Sequence, residues 1–376
     1  MEMTDTQEHW ETFPWETLDG TALLEALQKY SIEKGVSDIH TSPEKECVRL
    51  EVRLHGVLLP LAKLLEKNYI DLVRRIKFLS KLKLNVTNVP QDGQYTFQAP
   101  ERRVNVRVAS IPSRFGETFT LRLLDPKKGI VPLEKLGFPD VIHTKLAELT
   151  QMPNGLILVT GPTGSGKTTT LYALLNTMVG KERNIITLED PIEYELPGIV
   201  QSQVDHEHEY DFARGLRSIL RHDPDVVLVG EIRDMETAQT AIDASLTGHL
   251  VLSTLHTNSA IEAIPRFLSM GVSPYTFAPS LRAVLAQRLV RTVTPECKKE
   301  GAQCDPADHT TYDGVKALPE LLVATPEIRE HILQNDTAAD IEKVAREQGY
   351  MEMKDWGKIF VENGVTNESE VTRVTM

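Results

Sequence analysis

Eight residues constrain the fold of this chain more than any others, namely Gly161-Pro-Thr-Gly-Ser-Gly-Lys-Thr168. They match the pattern G-x-x-x-x-G-K-[ST] and directly follow the apolar run 156–160, which predicts a strand. Glycines in such a loop let backbone N–H groups turn inward at the start of a helix, where they bind phosphate oxygens. The segment therefore predicts an α/β fold with a nucleotide-phosphate site at the end of a strand.

The loop and the first helical residue after it supply the candidate nucleotide contacts. Lys167 is expected to neutralise charge on the β- and γ-phosphates, and the hydroxyl of Thr168 is expected to ligate Mg²⁺. The full set of expected contacts is Gly161, Pro162, Thr163, Gly164, Ser165, Gly166, Lys167, Thr168 and Thr169.

Two further apolar runs end in carboxylates. The run 226–229 leads to Glu231, which is expected beside the phosphates, to orient or deprotonate the attacking water or to hold Mg²⁺ through its hydration shell. The run 185–188 leads to Glu189, the best candidate for the metal and water network, with contact to the metal through water. Glu193 either joins that network or solvates the turn.

A fourth run, Gly248-His-Leu-Val-Leu-Ser-Thr-Leu-His256, contains two histidines. At about 3.3 Å per residue they lie roughly 20 Å apart along a strand, so both cannot reach one phosphate. His256 is at the carboxyl end and is the expected γ-phosphate contact. His249 is expected to be structural or to lie at a subunit contact.

Alternation of strands and helices after residue 131 predicts right-handed βαβ units and a parallel sheet. Before it, one amphipathic helix and several alternating runs predict a small α+β domain. The predicted organisation is a tail (1–20), a small domain (21–124), a linker (125–131), the α/β core (132–292) and a mostly helical C-terminal region (293–376). In the tail, Trp10 and Trp15 either fold back onto the small domain or dock a partner.

Charge and cysteine content exclude several classes of protein. Lys plus Arg is 41 and Asp plus Glu is 54, so the formal net charge is −13. This argues against a general nucleic-acid binder and against simple adhesion to anionic lipid. The chain has no run of 18 apolar residues and no signal-peptide pattern, which predicts a cytoplasmic protein.

Three cysteines are too few for a disulfide scaffold and fit a reducing compartment. Cys297 and Cys304, even with His309, fall short of the four ligands of tetrahedral zinc, so a plain loop without zinc is expected. The basic stretch from Arg74 to Lys83, which includes Lys77, is either a solvated face or a contact for lipid head groups or an acidic neighbour.

Taken together, the blocks resemble the ATPases of type II secretion and type IV pilus systems. GPTGSGKTTTLYALL, ITLEDPIEYELPGIVQSQV, LRSILRHDPDVVLVGEIRDMETAQTAIDASLTGHLVLSTLHTN and QRLVR look like that family's Walker A, Asp-box, Walker B and His-box blocks, in order. The resemblance implies a RecA-like P-loop core, a smaller N-terminal α+β (PAS-like) domain and a helical C-terminal region. Ser245-Leu-Thr-Gly-His is more like the assembly and secretion branch than the retraction branch.

The resemblance also implies a hexameric Mg²⁺-ATPase, peripheral at the inner membrane, that uses ATP to drive pilin or pseudopilin addition through an inner-membrane platform protein. Arg107 and Arg122 match the family's arginine contacts, and Arg107 is favoured as a γ-phosphate clamp because a guanidinium binds phosphate bidentately. Arg217 and Arg221 line a subunit interface or a solvated face. Relatives often carry a large N-terminal module and a tetracysteine zinc site, and neither pattern is found here.

The sequence is also compatible with three other functions. One is a related DNA-translocation or conjugation-type ATPase, against which the negative charge weighs. A second is a pilus retraction motor, and the third is a scaffold that binds nucleotide without hydrolysing it.

Overall fold

A computed structural model describes Trp10, residues 13–298 and residues 304–376. The chain divides into two units, Met1–Lys128 and Gly129–Met376. The division falls within the short helix α3 (Pro126–Gly129), inside the stretch predicted as a linker. The sheet of each unit contains only strands of that unit.

In the described part of the first unit, six antiparallel strands form a sheet in the order β3-β2-β1-β6-β5-β4. Its elements are α1 (Gly20–Lys34), β1 (Asp38–Pro43), β2 (Val48–Leu54), β3 (Val57–Leu64), α2 (Glu66–Leu79), β4 (Gln91–Ala99), β5 (Arg102–Ser113) and β6 (Gly116–Leu124). Asp19 caps α1 by accepting from two backbone N–H groups, and Gly35 ends it with φ +80°. The alternation in β2 buries Val48, Leu50 and Val52 on one face.

The aromatic residues ahead of α1 pack onto this unit. Trp10 and Trp15 are buried, their ring centroids are 5.6 Å apart, and both rings meet Tyr30 of α1 edge-on. The indole N–H of Trp10 donates to Glu33 at 2.8 Å. Of the two alternatives for the tail, the described residues adopt the folded-back one. The rest of the predicted tail, residues 1–9, 11 and 12, lies outside the described residues.

Lys77 is not part of an exposed basic face, and that prediction is wrong for this residue. Its side chain is 2% exposed and forms an ion pair with Glu117 at 2.7 Å. It also donates to the carbonyl oxygen of Val86 at 2.7 Å. The helix ends at Leu79 because the chain turns through a left-handed conformation at Lys81 (φ +58°). The contacts of Lys77 with Glu117 and with the Val86 carbonyl oxygen offset the hydration that a buried ammonium loses.

The second unit contains a mostly parallel sheet of seven described strands in the order β13-β12-β7-β11-β10-β8-β9. Its helices and strands are α4 (Asp140–Leu149), β7 (Gly155–Thr160), α5 (Lys167–Asn176), β8 (Ile185–Glu189), β9 (Val200–Gln203), α6 (Phe212–Ile219), β10 (Val226–Val229), α7 (Met235–Leu246), β11 (Leu250–Leu255), α8 (Ala263–Ser269), α9 (Pro274–Ser280), β12 (Leu281–Val293), β13 (Tyr312–Val323), α10 (Pro326–Gln334), α11 (Ala338–Glu347), α12 (Met353–Glu362) and α13 (Glu368–Thr375).

The central strands are continuous apolar runs because both faces of the sheet are covered. Every residue of β7, β10 and β11 is buried. The parallel strands β7, β11, β10 and β8 end at the same edge of the sheet. Ligands of open α/β sheets bind at this edge, and the segments that follow these strands carry the predicted site residues.

The C-terminal region contains the expected helices, α10 to α13, but it also contains a strand that was not expected. Residue 292 is not a boundary, since β12 runs to Val293 and pairs with β13, which lies in the stretch expected to be mostly helical. The strand β13 contains Gly314 and Pro319, two residue types that disfavour strands. It lies at the edge of the sheet, where the missing N–H of proline is tolerated. The helices α10 to α13 follow it.

The loop between β12 and β13 differs from expectation as well. Cys297 and Cys304 are joined by a disulfide rather than carrying free thiols. Residues 299–303, between them, lie outside the described residues. Within the described parts of the chain, no helix is long and apolar enough to cross a membrane.

Candidate active site

The phosphate loop, Gly161–Thr168, connects β7 to α5. Gly161 and Gly166 have φ values of +144° and +87°, which favour glycine. A Cβ atom on Gly161 would lie 2.6 Å from the backbone oxygen of Gln287 and from Oγ of Ser165. Gly166 occupies the N-cap position of α5. Only glycine at position 161 therefore allows the loop to follow this path. The backbone N–H groups of the loop lie at the N-terminus of α5, where an anion can bind.

Lys167 lies at the first position of α5 and folds over the loop. Its Nζ donates to the carbonyl oxygens of Gly161 and Pro162, at 2.8 and 3.0 Å. Burial lowers the pKa of Lys167 to about 8; the charge of Glu231 opposes this shift and that of Arg288 adds to it. An incompletely hydrated ammonium held by two carbonyl oxygens is suited to exchange them for phosphate oxygens.

Glu231 and His256 follow the neighbouring strands β10 and β11. The carboxylate of Glu231 accepts a hydrogen bond from the guanidinium of Arg233. Its Oε2 is 3.6 Å from Nε2 of His256, which is too long for a hydrogen bond. Burial lowers the pKa of His256, and the positive charge of Lys167 lowers it further. The imidazole is therefore mainly neutral at pH 7.

Glu189, at the end of β8, is 4% exposed and held on three sides. It accepts hydrogen bonds from the hydroxyl of Tyr172, from Thr187 at 2.5 Å and from Gln201 at 3.1 Å. Burial raises the pKa of Tyr172, and the nearby carboxylate raises it further. Tyr172, on the buried face of α5, was not predicted as a site residue, since its place in an apolar helical pattern gives no signal of this contact.

One cavity of about 150 Å³ brings five of the predicted residues together. They are Lys167, Thr168, Glu189, Glu231 and His256. Asp190 and Glu193 also line it. The cavity thus combines a helix N-terminus, an ammonium, a hydroxyl, several carboxylates and an imidazole.

Other predicted residues lie elsewhere. Arg107 and Arg122 are opposite each other on β5 and β6 of the first unit, and Nε of Arg122 donates to Asp38 at 2.8 Å. Their contact with phosphate stays a prediction. His249 is at the other end of β11 from His256, and its Nδ1 is 2.9 Å from the carbonyl oxygen of Ala244, which fits the structural alternative.

Side chains distant in sequence hold the site together. Oγ1 of Thr160 lies 2.8 Å from Oγ1 of Thr257 and accepts a hydrogen bond from the backbone N–H of Thr257, also at 2.8 Å. These contacts join the end of β7 to the segment after His256. Gln287 contacts the phosphate loop from β12. Sequence reasoning gave these residues no role, although Gln287 is the first residue of the QRLVR block and is a glutamine inside an apolar strand.

Glu320 supports the same region from β13. This 4%-exposed carboxylate accepts from the backbone N–H of Ala260 at 2.6 Å and from the hydroxyl of Tyr350 at 2.5 Å. Burial raises its pKa. Glu320 therefore connects the segment that follows His256 with the turn before α12.

The residues of the cavity fit a nucleoside triphosphate and Mg²⁺. Mg²⁺ retains several waters and takes few protein ligands besides phosphate oxygens, so the Thr168 hydroxyl with carboxylates nearby is a suitable donor set. No group of three or more His, Cys, Asp or Glu side chains suited to a metal occurs among the described residues. The expected absence of zinc stays a prediction.

A parallel sheet with a glycine-rich phosphate loop after one strand and carboxylates after its neighbours defines a P-loop ATPase core of the RecA-like type. The particular family follows from comparison with known proteins. Residues 20–373 match the family described as type II/IV secretion system protein, and the chain belongs to this family.

Named relatives agree with this assignment. The type II secretion system protein E of Aeromonas hydrophila is 43% identical, over 94% of this chain and 75% of the relative. The type II secretion system ATPase E of Vibrio cholerae is 42% identical over the same shares. The pilus retraction motor PilT, in a crystal structure with bound ADP, is 30% identical, with a TM-score of 0.69 over 95% of this chain and 97% of that one. The protein is an ATPase of the secretion-motor class.

Proposed function

We propose that this ATPase forms a hexamer at the cytoplasmic face of the inner membrane and uses ATP hydrolysis to add pilin or pseudopilin subunits through a platform protein. The observation that carries the proposal is the convergence of Lys167, Thr168, Glu231 and His256 on one cavity. The family and its relatives support a secretion motor. The hexamer, the platform and the direction of the motor are the proposed part.

The chemistry follows from the residues that line the cavity. Mg²⁺, when bound through Thr168, would supply charge neutralisation on the phosphate oxygens. Lys167 would exchange its hydrogen bonds to the two loop carbonyl oxygens for contacts with the phosphate oxygens, and would neutralise part of their negative charge. The carboxylate of Glu231 accepts a proton from the water that attacks the γ-phosphorus, while the bond from this phosphorus to the bridging oxygen breaks and ADP leaves with that oxygen. Arg233 beside it holds the carboxylate in place. His256, being mainly neutral, can donate one N–H to a γ-phosphate oxygen.

Glu189 takes an indirect role in this proposal. Two carboxylate oxygens offer about four acceptor positions, and Tyr172, Thr187 and Gln201 occupy three of them. The remaining position, on Oε2, can accept a hydrogen bond from a water in the hydration shell of Mg²⁺, which usually keeps several waters in such sites.

Purified Lys167→Ala should lose ATP turnover, because the principal cation of the cavity is gone. The matched control is Lys181→Ala, which removes an exposed lysine from the same unit. Native mass spectrometry gives the oligomeric state, and phosphate release is measured with and without the cytoplasmic part of the platform protein. Near-normal turnover by Lys167→Ala would overturn the assignment of the site.

The same assay tests the motor's partner. Platform-dependent stimulation of a hexamer supports the proposal. Severalfold stimulation by DNA at moderate salt, without any effect of the platform, would instead favour a DNA-translocating ATPase, although the net charge of −13 opposes this.

A further inference from the structure

Gln287 is a buried polar residue that the proposed chemistry does not use. It lies in β12 with a relative exposure of 0%, and its neighbours Leu285 and Ala286 are equally buried. Burying an amide costs free energy unless its hydrogen bonds are made. The partners of this side chain therefore show what it stabilises.

Both ends of the amide reach the nucleotide-binding segment. Nε2 donates to the carbonyl oxygen of Ser165 at 2.6 Å, and Oε1 accepts from Oγ1 of Thr170 at 2.9 Å. Thr170 is also buried, on the first turn of α5. One side chain thus connects the phosphate loop to the helix that follows it.

The backbone of Gln287 contacts the loop as well. Its carbonyl oxygen lies 2.6 Å from the position a Cβ atom of Gly161 would occupy. Its Nε2 lies 3.0 Å from the corresponding position at Gly166. Gln287 therefore packs closely against Gly161 and Gly166, and it donates a hydrogen bond to Ser165, the residue before Gly166.

The contact with Ser165 also sets the direction of a backbone donor. The carbonyl of Ser165 and the N–H of Gly166 belong to one planar trans peptide and point in opposite directions. Holding the carbonyl against β12 therefore turns the Gly166 N–H away from β12. A donor fixed in advance binds an anion without the cost of ordering it at the time of binding.

We propose that Gln287 is a positioning residue that holds the phosphate loop in its nucleotide-binding conformation through Ser165 and Thr170. The inference rests on the proposed function of the loop as the ATP site. The loop binds phosphates in both the ground state and the transition state. Loss of the Gln287 amide should therefore weaken nucleotide binding and leave the rate of the chemical step largely unchanged.

The test compares three variants in the full chain. Gln287→Met keeps the volume and removes both hydrogen bonds, Thr170→Val removes one of them, and Thr170→Ser retains the hydroxyl. We expect the Kd for MgADP and the KM for ATP to increase about tenfold in Gln287→Met and about threefold in Thr170→Val. Thr170→Ser should match the wild type, and kcat should stay within about twofold throughout.

Thr170→Val added to Gln287→Met should raise the Kd for MgADP no further, because the partner of its hydroxyl is already gone. Gln334→Met, at an exposed position of α10, is the matched control. The melting temperature is recorded for every variant. If Gln287→Met does not fold, the comparison of Thr170→Val with Thr170→Ser decides the matter.

Unchanged Kd and KM in Gln287→Met and Thr170→Val, or a fall in kcat with KM unchanged, would overturn the positioning role. These outcomes are distinct from failure of the proposed function. That failure would appear as absent turnover in the wild type, or as undiminished turnover in Lys167→Ala.

Discussion

Nucleotide binding should be coupled to proton uptake by Lys167. Burial lowers the pKa of this lysine to about 8 in the nucleotide-free protein, whereas a phosphate partner favours the charged form and raises it again. Because the free-state pKa is the depressed one, positive charge is lost as the pH rises through 8. The affinity for nucleotide should therefore fall above pH 8.

The size of the effect follows from the titration curve. Binding should take up about 0.1 proton at pH 7, about 0.5 at pH 8 and about 0.9 at pH 9. At pH 9 about a tenth of the free protein carries the charge, so the Kd for MgADP should be about fivefold higher than at pH 8. The contribution of His256 should decrease as the pH rises from 7 to 9, because burial lowers its pKa below the usual value.

Isothermal titration calorimetry measures this uptake directly. MgADP binding is followed at pH 7, 8 and 9 in buffers of different ionisation enthalpy. The number of protons taken up is the slope of the observed binding enthalpy plotted against the ionisation enthalpy of the buffer. Lys167→Arg is the control, because its guanidinium stays charged throughout this range. A slope near zero for the wild type at pH 9, or the same slope in Lys167→Arg, would refute the reasoning.

Three further outcomes are expected. Glu231→Gln should bind MgATP within about threefold of the wild type but hydrolyse it about 10²–10³-fold more slowly in a phosphate-release assay; a loss below tenfold would contradict its role as proton acceptor. Although burial acts in the opposite direction, hydrogen bonds from Arg373 and Arg291 lower the pKa of Glu370 to about 2. The stabilisation present above pH 4.5 is therefore lost as the pH falls toward 2, so Glu370→Gln should lower the free energy of unfolding by about 2 kcal/mol at pH 7 and remove this pH dependence. Urea titrations at pH 7 and pH 3 check this, and equal losses at both would contradict it. Trp15→Ala should destabilise the first unit by about 3 kcal/mol, measured by urea unfolding followed by hydrogen exchange within that unit; an unchanged stability would mean that the buried indole contributes little.

The parts of the site that local sequence determines were predictable. The residues Gly161 to Thr168 carry their own geometry, and Glu231 and His256 each follow a strand that its apolar run reveals. Since parallel strands end at one edge of the sheet, the convergence of these residues followed from the pattern. The structure places Lys167, Thr168, Glu189, Glu231 and His256 around one cavity.

Contacts between distant residues were not predictable from one sequence. Gln287 lies 117 residues from Thr170, and Lys77 lies 40 residues before the carboxylate of Glu117 that pairs with it. The strand β13 was missed for a different reason, because Pro319 is a strand breaker except at an edge. In each case the pairing depends on tertiary structure that periodicity does not describe.

The buried carboxylate of Glu320 makes the C-terminal helices part of the catalytic fold. Three donors satisfy this carboxylate, and a chain shortened before Tyr350 would lose two of them, the hydroxyl of Tyr350 and the backbone N–H of Met353. The third, the backbone N–H of Ala260, lies shortly after His256 in the sequence. An uncompensated charge in the interior is costly, so the deficit would fall on the segment that carries the imidazole. The segment from Tyr350 onward thus contributes to the stability of the nucleotide site, even though it contributes no residue to the cavity.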